Sequence, residues 1–329
     1  MQALRDIFTP AKAIDTFNGP LVGLEIEVEG ENLVTGIDGW RCERDGSLRG
    51  ENVEYVFPRP LPWEEGINRV KKLRLKTKMA KSTILNTGYA GIHVHVNVTD
   101  LTPIQIWRYA MAYYVVEPLL LEWCGEDRKN NLFCLSLAAA PLPIDLLSKA
   151  IQECRYDMLR LDDIRYSALN FKALAEYGSF EFRAMYSTLD EEVIDKWARM
   201  LLELRQFALT EYPVADLLGD LSVKQEAFLK VLMPTTHVYL KDIPNVFDKM
   251  LDAVREIQWH VVRFSEANVA LSIERRIKER EELAAKHRGG PQMVRAQIAP
   301  EVMGGRAGNL HAPHHFIQEI IDNEPEIDL

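Results

Sequence analysis

Residues 23–29 read Gly23-Leu24-Glu25-Ile26-Glu27-Val28-Glu29. Apolar and acidic residues alternate. A period of two marks a strand whose successive side chains point to opposite faces. Leu24, Ile26 and Val28 therefore share one face, and Glu25, Glu27 and Glu29 share the other. Carboxylates in a row repel one another. Exposed to water, such a row is the solvated side of an amphipathic strand. Enclosed in a cleft it needs cations, and oxygen-rich carboxylate sets suit Mg2+ or Mn2+. Spacing alone leaves both readings open.

Three other segments outward from this one place polar groups on a strand face. Asn52-Val53-Glu54-Tyr55-Val56-Phe57 reads as a strand that Pro58 and Pro60 end. Glu54 shares its parity with Val56, so pattern alone does not fix its face. Ile92-His93-Val94-His95-Val96-Asn97-Val98 again has a period of two, with His93, His95 and Asn97 on one side. Such a histidine pair occurs in strands with and without a metal. Gly178 to Met185 sets Phe180 and Phe182 against Glu181 and Arg183, which can be a surface ion pair or part of a site.

Between these strands the pattern is helical. Trp63 to about Ser82 is a helix rich in Lys and Arg, read as a solvated face or an anion-binding surface. A helix runs from a Thr102 cap through Pro103 to Leu121, and another near Pro143 to Leu161. Leu189 to Tyr212 is strongly amphipathic, and Val246 to Ala285 reads as helix, highly charged in its later part. Arg288-Gly289-Gly290-Pro291 breaks it. His311, His314 and His315 lie in the glycine-containing tail beyond, as a solvated cluster or a metal-binding one.

Composition narrows the classes. The chain has 329 residues, 47% apolar and 27% charged, as expected of a globular protein with a large core. No apolar run is long enough to span a bilayer, and Met1 to Asp15 does not read as a secretory signal. Cys42, Cys124, Cys134 and Cys154 are widely spaced, which favours reduced thiols and a cytoplasmic location. A net charge of -10 argues against a nucleic-acid partner.

The four strands together supply Glu25 and Glu27, Glu54, His93 and His95, and Glu181 with Arg183. If their polar faces meet, they make one cleft of carboxylates, histidines and an arginine. Buried carboxylates do not stay ionised unpaired, so divalent cations would satisfy them and in turn hold a polyphosphate.

In order and pairing, these motifs resemble the amidoligases. Gly23 to Glu27 gives Gly-x-Glu-x-Glu. Asp45 to Leu48 gives Asp-Gly-Ser-Leu, and Val53 to Pro58 gives Val-Glu-x-Val-x-Pro. Gly91 to Val96 gives Gly-x-His-Val-His-Val, and Leu169-Asn170 precedes Gly-Ser-x-Glu-Phe-Arg at Gly178 to Arg183. That family groups carboxylate–amine ligases of the glutamine synthetase and glutamate–cysteine ligase superfold. The likeness covers roughly residues 20 to 210.

The resemblance implies an α+β fold: a glutamine synthetase-like curved antiparallel sheet with flanking helices, plus a mainly helical C-terminal part. It implies a catalytic domain over 1–212 with a helical insertion at about 100–165, a helical region over 213–288 and a loosely ordered tail over 289–329. ATP and two or three Mg2+ or Mn2+ ions would sit on the concave face. Glu27 and Glu54 would hold one metal, and Glu25, His93 and Glu181 another. His95 and Arg183 would approach the γ-phosphate, with Asp45 and Asn170 lining the site. Glu29 lies one step beyond the Glu-x-Glu pair, and Ser179 stands where the family often has Thr.

The implied reaction joins a small-molecule or peptide carboxylate to an amine through an acyl phosphate. Asp45 and Glu51 are candidates to take the amine's proton, and Arg49 and Glu51 lie in a loop placed to touch substrate. Two other classes stay open: a degenerate ligase fold used for binding or assembly, and a metal-dependent hydrolase built on His93, His95 and the carboxylates. The C-terminal helices are compatible with a homo-oligomer contact, a lid or a partner dock.

Overall fold

A computed structural model describes residues 1–12, 18–129, 131–221 and 225–288. The tail over 289–329, with its histidine cluster, lies outside the described residues. The elements run in order α1 (Leu4–Ile7), β1 (Leu21–Glu31), β2 (Arg41–Glu43), β3 (Asn52–Val56), β4 (Leu61–Pro62), α2 (Trp63–Met79), β5 (Thr83–Leu85), β6 (Gly91–Asn97) and α3 (Pro103–Trp123). Then follow α4 (Leu142–Glu153), β7 (Leu169–Asn170), α5 (Lys172–Tyr177), β8 (Ser179–Tyr186), α6 (Glu191–Ala208), α7 (Val214–Leu221), α8 (Gln225–Leu232), α9 (Val246–Arg263) and α10 (Glu266–Arg288). The fold is mixed α+β, and residues Met1–Ala284 form one compact unit.

The strands make one eight-stranded sheet in the order β2-β3-β1-β6-β8-β7, and every pairing between named strands is antiparallel. β1 runs through the middle. Val22 is opposite both Leu61 and Val96, so β4 lies on the β3 side of β1 and β6 on the other. Glu29 is opposite both Asn52 and Leu85, so β5 lies on the β6 side. β3–β4 and β5–β6 are thus two interrupted strands flanking one continuous strand. Their interruptions leave the sheet at different levels of β1, 57–60 beside Gly23 and Leu24 and 86–90 beside Glu27 and Val28.

Register fixes the two faces. Leu24, Ile26 and Val28 of β1 align with Tyr55 and Val53 on one side and Val94 and Ile92 on the other. Val94 and Val96 then align with Phe182 and Phe180. These side chains are buried against helices. Tyr109 of α3 stacks on Phe180 at 5.2 Å between ring centroids, and Tyr113 lies 5.0 Å from Phe182. Aromatic pairs at such separations add to the burial itself.

α3 is buried nearly all round, as a helix between a sheet and other helices must be. Its start follows the expected cap. Thr102 Oγ1 accepts from Gln105 N at 3.3 Å, and Gln105 Oε1 accepts from Thr102 N at 2.9 Å. α2 buries Ile67, Val70 and Leu73 on the same core, so most of its basic residues are solvated. Arg74 pairs with Glu191, and Arg69 pairs with Glu65 at 2.9 Å.

Two helices are shorter than their sequence pattern suggests. The helix read over 143–161 stops at Glu153, because Cys154 turns left-handed at φ 54°, and two 3-10 turns follow. The helix read over 246–285 is two helices. Phe264 is extended (φ -80°, ψ 122°), and Ser265 Oγ accepts from Asn268 N at 3.3 Å to start α10. Among the described residues, no helix is long and apolar enough to cross a membrane.

Candidate active site

The same register that buries Leu24 and Ile26 lays out the opposite face. Glu27 sits directly across from Glu54, and Glu54 from Glu43. Glu25 lies between Val56 and His93. Gly23, His95, Glu181 and Asn170 follow one another across β1, β6, β8 and β7. Glu54 is therefore on the acidic face, which its sequence parity left unsettled. Val56 shares that face and makes an apolar wall beside Glu25. Gly23 fits the row because it has no side chain; a Cβ there would lie 3.2 Å from His95 Cβ.

The side chains meet. His93 Nδ1 donates to Glu25 Oε2 at 3.1 Å, and its Nε2 lies 3.7 Å from Glu27 Oε1. His95 Nδ1 is 3.1 Å from Ser179 Oγ. His95 Nε2 is buried, lies 3.4 Å from Glu25 Oε1, and lacks the geometry of a hydrogen bond to it. Glu27 Oε2 accepts the Gly91 amide at 2.8 Å. Glu181 Oε2 accepts from Asn170 Nδ2 at 2.6 Å, and its other oxygen pairs with Arg183.

Asp45 enters from the β2–β3 loop. Its N–H donates to Asn52 Oδ1 at 3.1 Å, and its Oδ1 accepts from Ser47 N at 2.6 Å. Ligand atoms converge in three sets, each within 4.8 Å: Glu25, Glu54 and His93; Glu25, His95 and Glu181; and Glu27, Asp45 and Glu54. Glu51 stays outside them. Its Oε1 accepts from Leu33 N at 2.9 Å, beside the row rather than within it.

Electrostatics divides the carboxylates. Burial pushes the Glu54 carboxyl up, and Glu25 and Glu27 push it further, to about 7. Burial works against ionised Glu25 too, but His95 and His93 outweigh it and hold Glu25 well below the usual carboxylate range. Burial also opposes ionised Glu181, and Arg183 with the two histidines overcomes it. His95 is raised: burial disfavours its charged form, and Glu25 and Glu181 more than compensate.

So many acids facing one another, one of them raised to about 7, would be satisfied by a cation. The hard oxygen set fits Mg2+ or Mn2+. His95, with its buried Nε2 3.4 Å from Glu25 Oε1, adds an imidazole that its acidic neighbours favour in the charged form.

Two cavities open beside Glu25 and His95. One of about 380 Å3 has Val56, Phe57 and Pro58 on one wall and Lys12, Arg41 and Arg59 on its rim. The other, about 170 Å3, is lined by Glu25, His95, Asn170, Glu181 and Arg183, with Arg165 and Lys172 contributed by the β7 region. The sequence reading missed these five rim cations. Lys172 stands two residues beyond the site residue Asn170, whose Oδ1 accepts its amide at 2.9 Å.

Arg128, between the helices read over 103–121 and 143–161, was not singled out by the sequence either. It is buried, donating to Ala184 O at 3.0 Å, Arg183 O at 2.8 Å and Gly88 O at 3.4 Å. It thereby holds β8 where the register against β6 shifts, between Ile92 and Val94. Nothing in the local composition marks it.

The sheet thus carries an acidic, histidine-bearing face with cavities beside it that Lys and Arg side chains help to line. The family described as "Putative amidoligase enzyme" matches residues 24–205, more than half of the chain, and the chain belongs to that family. No curated protein matches it.

Proposed function

We propose that the protein is an ATP-dependent carboxylate–amine ligase with a glutamine synthetase-like catalytic sheet. One observation carries the reading: Glu25, Glu27, Glu54, His93, His95 and Glu181 fall into cross-strand register on one face. Family membership supports ligase chemistry. The 380 Å3 cavity offers an apolar wall for a base and a cationic rim for phosphates, and it shares Glu25 and His95 with the smaller cavity.

In this reading Glu25, Glu27, Glu54, His93, Glu181 and Asp45 hold the divalent ions. Bound ions screen the phosphate oxygens and the acids beneath them. Arg183, fixed by Glu181 and Arg128, faces the transferring phosphoryl group, and Arg165 and Lys172 add positive charge around it. His95, charged between Glu25 and Glu181, donates toward a phosphate oxygen. Asn170 orients Glu181.

The substrate carboxylate attacks the γ-phosphorus of ATP, and ADP departs. The neutral amine nitrogen then attacks the acyl carbon, a C–N bond forms, phosphate leaves with the C–O bonding pair, and the nitrogen's proton passes to the departing phosphate. No covalent protein nucleophile is needed. The protein supplies position and charge neutralisation.

The test is a thermal-shift titration with a non-hydrolysable ATP analogue, with and without Mn2+, on wild type and Glu181→Ala. At ligand about 100-fold over its Kd, linkage stabilises by roughly 2.7 kcal/mol, a shift on the order of 5 °C. The expected result is a Mn2+-dependent shift in wild type that the variant lacks. No shift in wild type, with hydrolysis proceeding without nucleotide, would replace the ligase reading by a metal-dependent hydrolase.

A further inference from the structure

The glutamate row does not end at the residues used above. Glu29 follows Glu27 on the same face, about 7 Å further along the strand. It is buried, and its Oε1 accepts from the Arg49 amide. Beyond it lies a third cavity of about 280 Å3, bounded by Glu29, Arg49, Glu51, Thr87 and Tyr89. It sits where the 86–90 interruption leaves the sheet, at the opposite end of the row from the 380 Å3 cavity.

Leu85, Gly30 and Gly50 complete its lining, which is mostly apolar. Arg49, Glu51 and Tyr89 are exposed to solvent; the Arg49 guanidinium lies over the Tyr89 ring, 4.2 Å from the centroid, and has no ion-pair partner among the described residues. A guanidinium stacked by its face keeps its in-plane N–H groups free for a carboxylate. The Thr87 hydroxyl is buried with no hydrogen-bond partner, a state that calls for a reason in a native site. The loop carrying Thr87 and Tyr89 is held at Gly88, whose carbonyl accepts from Asn131 Nδ2 at 2.8 Å and from Arg128.

We propose that this cavity is the amine-side subsite, and that the amine substrate is a zwitterion: a free amino acid or a peptide with a free carboxylate. Glu29 and Glu51 face the ammonium, Arg49 takes the carboxylate, and Thr87 Oγ1 supplies a further hydrogen bond. The assignment rests on the ligase reading. A bare carboxylic acid here would face two carboxylates with one cation to answer it. A simple alkylamine would leave Arg49 answered by water alone. A zwitterion meets both signs.

The test uses saturation-transfer NMR on the full chain with Mn2+ and the ATP analogue present. The probes are glycine, L-alanine, L-glutamate, L-lysine and glycylglycine, each beside its C-terminal amide, with ethylamine as a further control. The expected result is at least one acid–amide pair in which the free carboxylate form binds about tenfold more tightly, which is about 1.4 kcal/mol. Arg49→Met should erase that preference, and Arg49→Lys should keep part of it. Thr87→Val, close to isosteric, should weaken the same probe and serves if Arg49→Met does not fold.

Equal binding of acid and amide, no binding by any carboxylate-bearing probe, or an unchanged preference in Arg49→Met would each overturn the subsite. The nucleotide shift of the wild type separates the two readings. Its absence sinks the ligase reading, whereas its presence beside an indifferent panel sinks the amine subsite alone.

Discussion

Glu54→Gln should make the metal-free protein more stable above neutral pH while removing a metal ligand. The Glu54 carboxyl is raised from 4.5 to about 7 by burial and by Glu25 and Glu27. Between those two values the folded state binds more protons than the unfolded state. Stability therefore falls as pH rises from about 4.5 to 7 and is level above that. The full shift corresponds to roughly 3.4 kcal/mol. Glu54 is partly open to solvent, so about half of that, near 1–2 kcal/mol, is a sounder expectation. Glutamine cannot ionise, so the variant escapes the loss.

The assay is calorimetric melting in chelator at pH 5 and pH 8. At pH 5 the two proteins should melt close together. At pH 8 the variant should melt higher, by about 2–6 °C for a domain of this size. Added Mn2+ should raise the wild type and move the variant less. A variant that melts below wild type at pH 8 in chelator would show that the acids do not repel at this site, and the electrostatic account of the row would fall.

Arg128→Met should cost about 3–5 kcal/mol in urea unfolding, since it strips charged donors from buried carbonyls of Arg183, Ala184 and Gly88; a loss under 1 kcal/mol would deny the clamp. Gly178→Ala should lower the melting temperature by several degrees. The residue has φ +77°, and a Cβ would come within 2.3 Å of Thr99 Cγ2. Glu117, buried in α3 and pushed up to about 8 by burial, accepts from Leu137 N at 2.7 Å. Its folded pKa lies above the unfolded value, so it lowers stability as pH rises toward 8, and Glu117→Gln should flatten the urea midpoint between pH 6 and 9, read by circular dichroism.

Much of the site was legible because strands write their faces in parity. Glu25, Glu27, His93, His95, Glu181 and Arg183 could each be assigned a face from local alternation, and register then brought those faces together. Glu54 resisted because Val56 stands on the polar face as a cavity wall, where burial and polarity part company. Arg128 resisted for a different reason. Its partners are backbone carbonyls from distant segments, which no side-chain pattern records. The break between α9 and α10 depends on Ser265 acting as a cap inside a run with helical periodicity throughout. The left-handed Cys154 that ends α4 has no glycine to announce it.

The two interrupted strands beside β1 separate chemistry from choice. The acidic ladder is fixed by hydrogen-bonded register, so a residue added to β1 or β6 would turn the side chains beyond it to the other face. Residues 57–60 and 86–90 lie outside that register, and each borders a cavity at one end of the row. Lengthening or shortening either interruption would reshape a mouth without disturbing the ladder. One sheet could thereby accept new molecules at either end while repeating the same reaction in the middle.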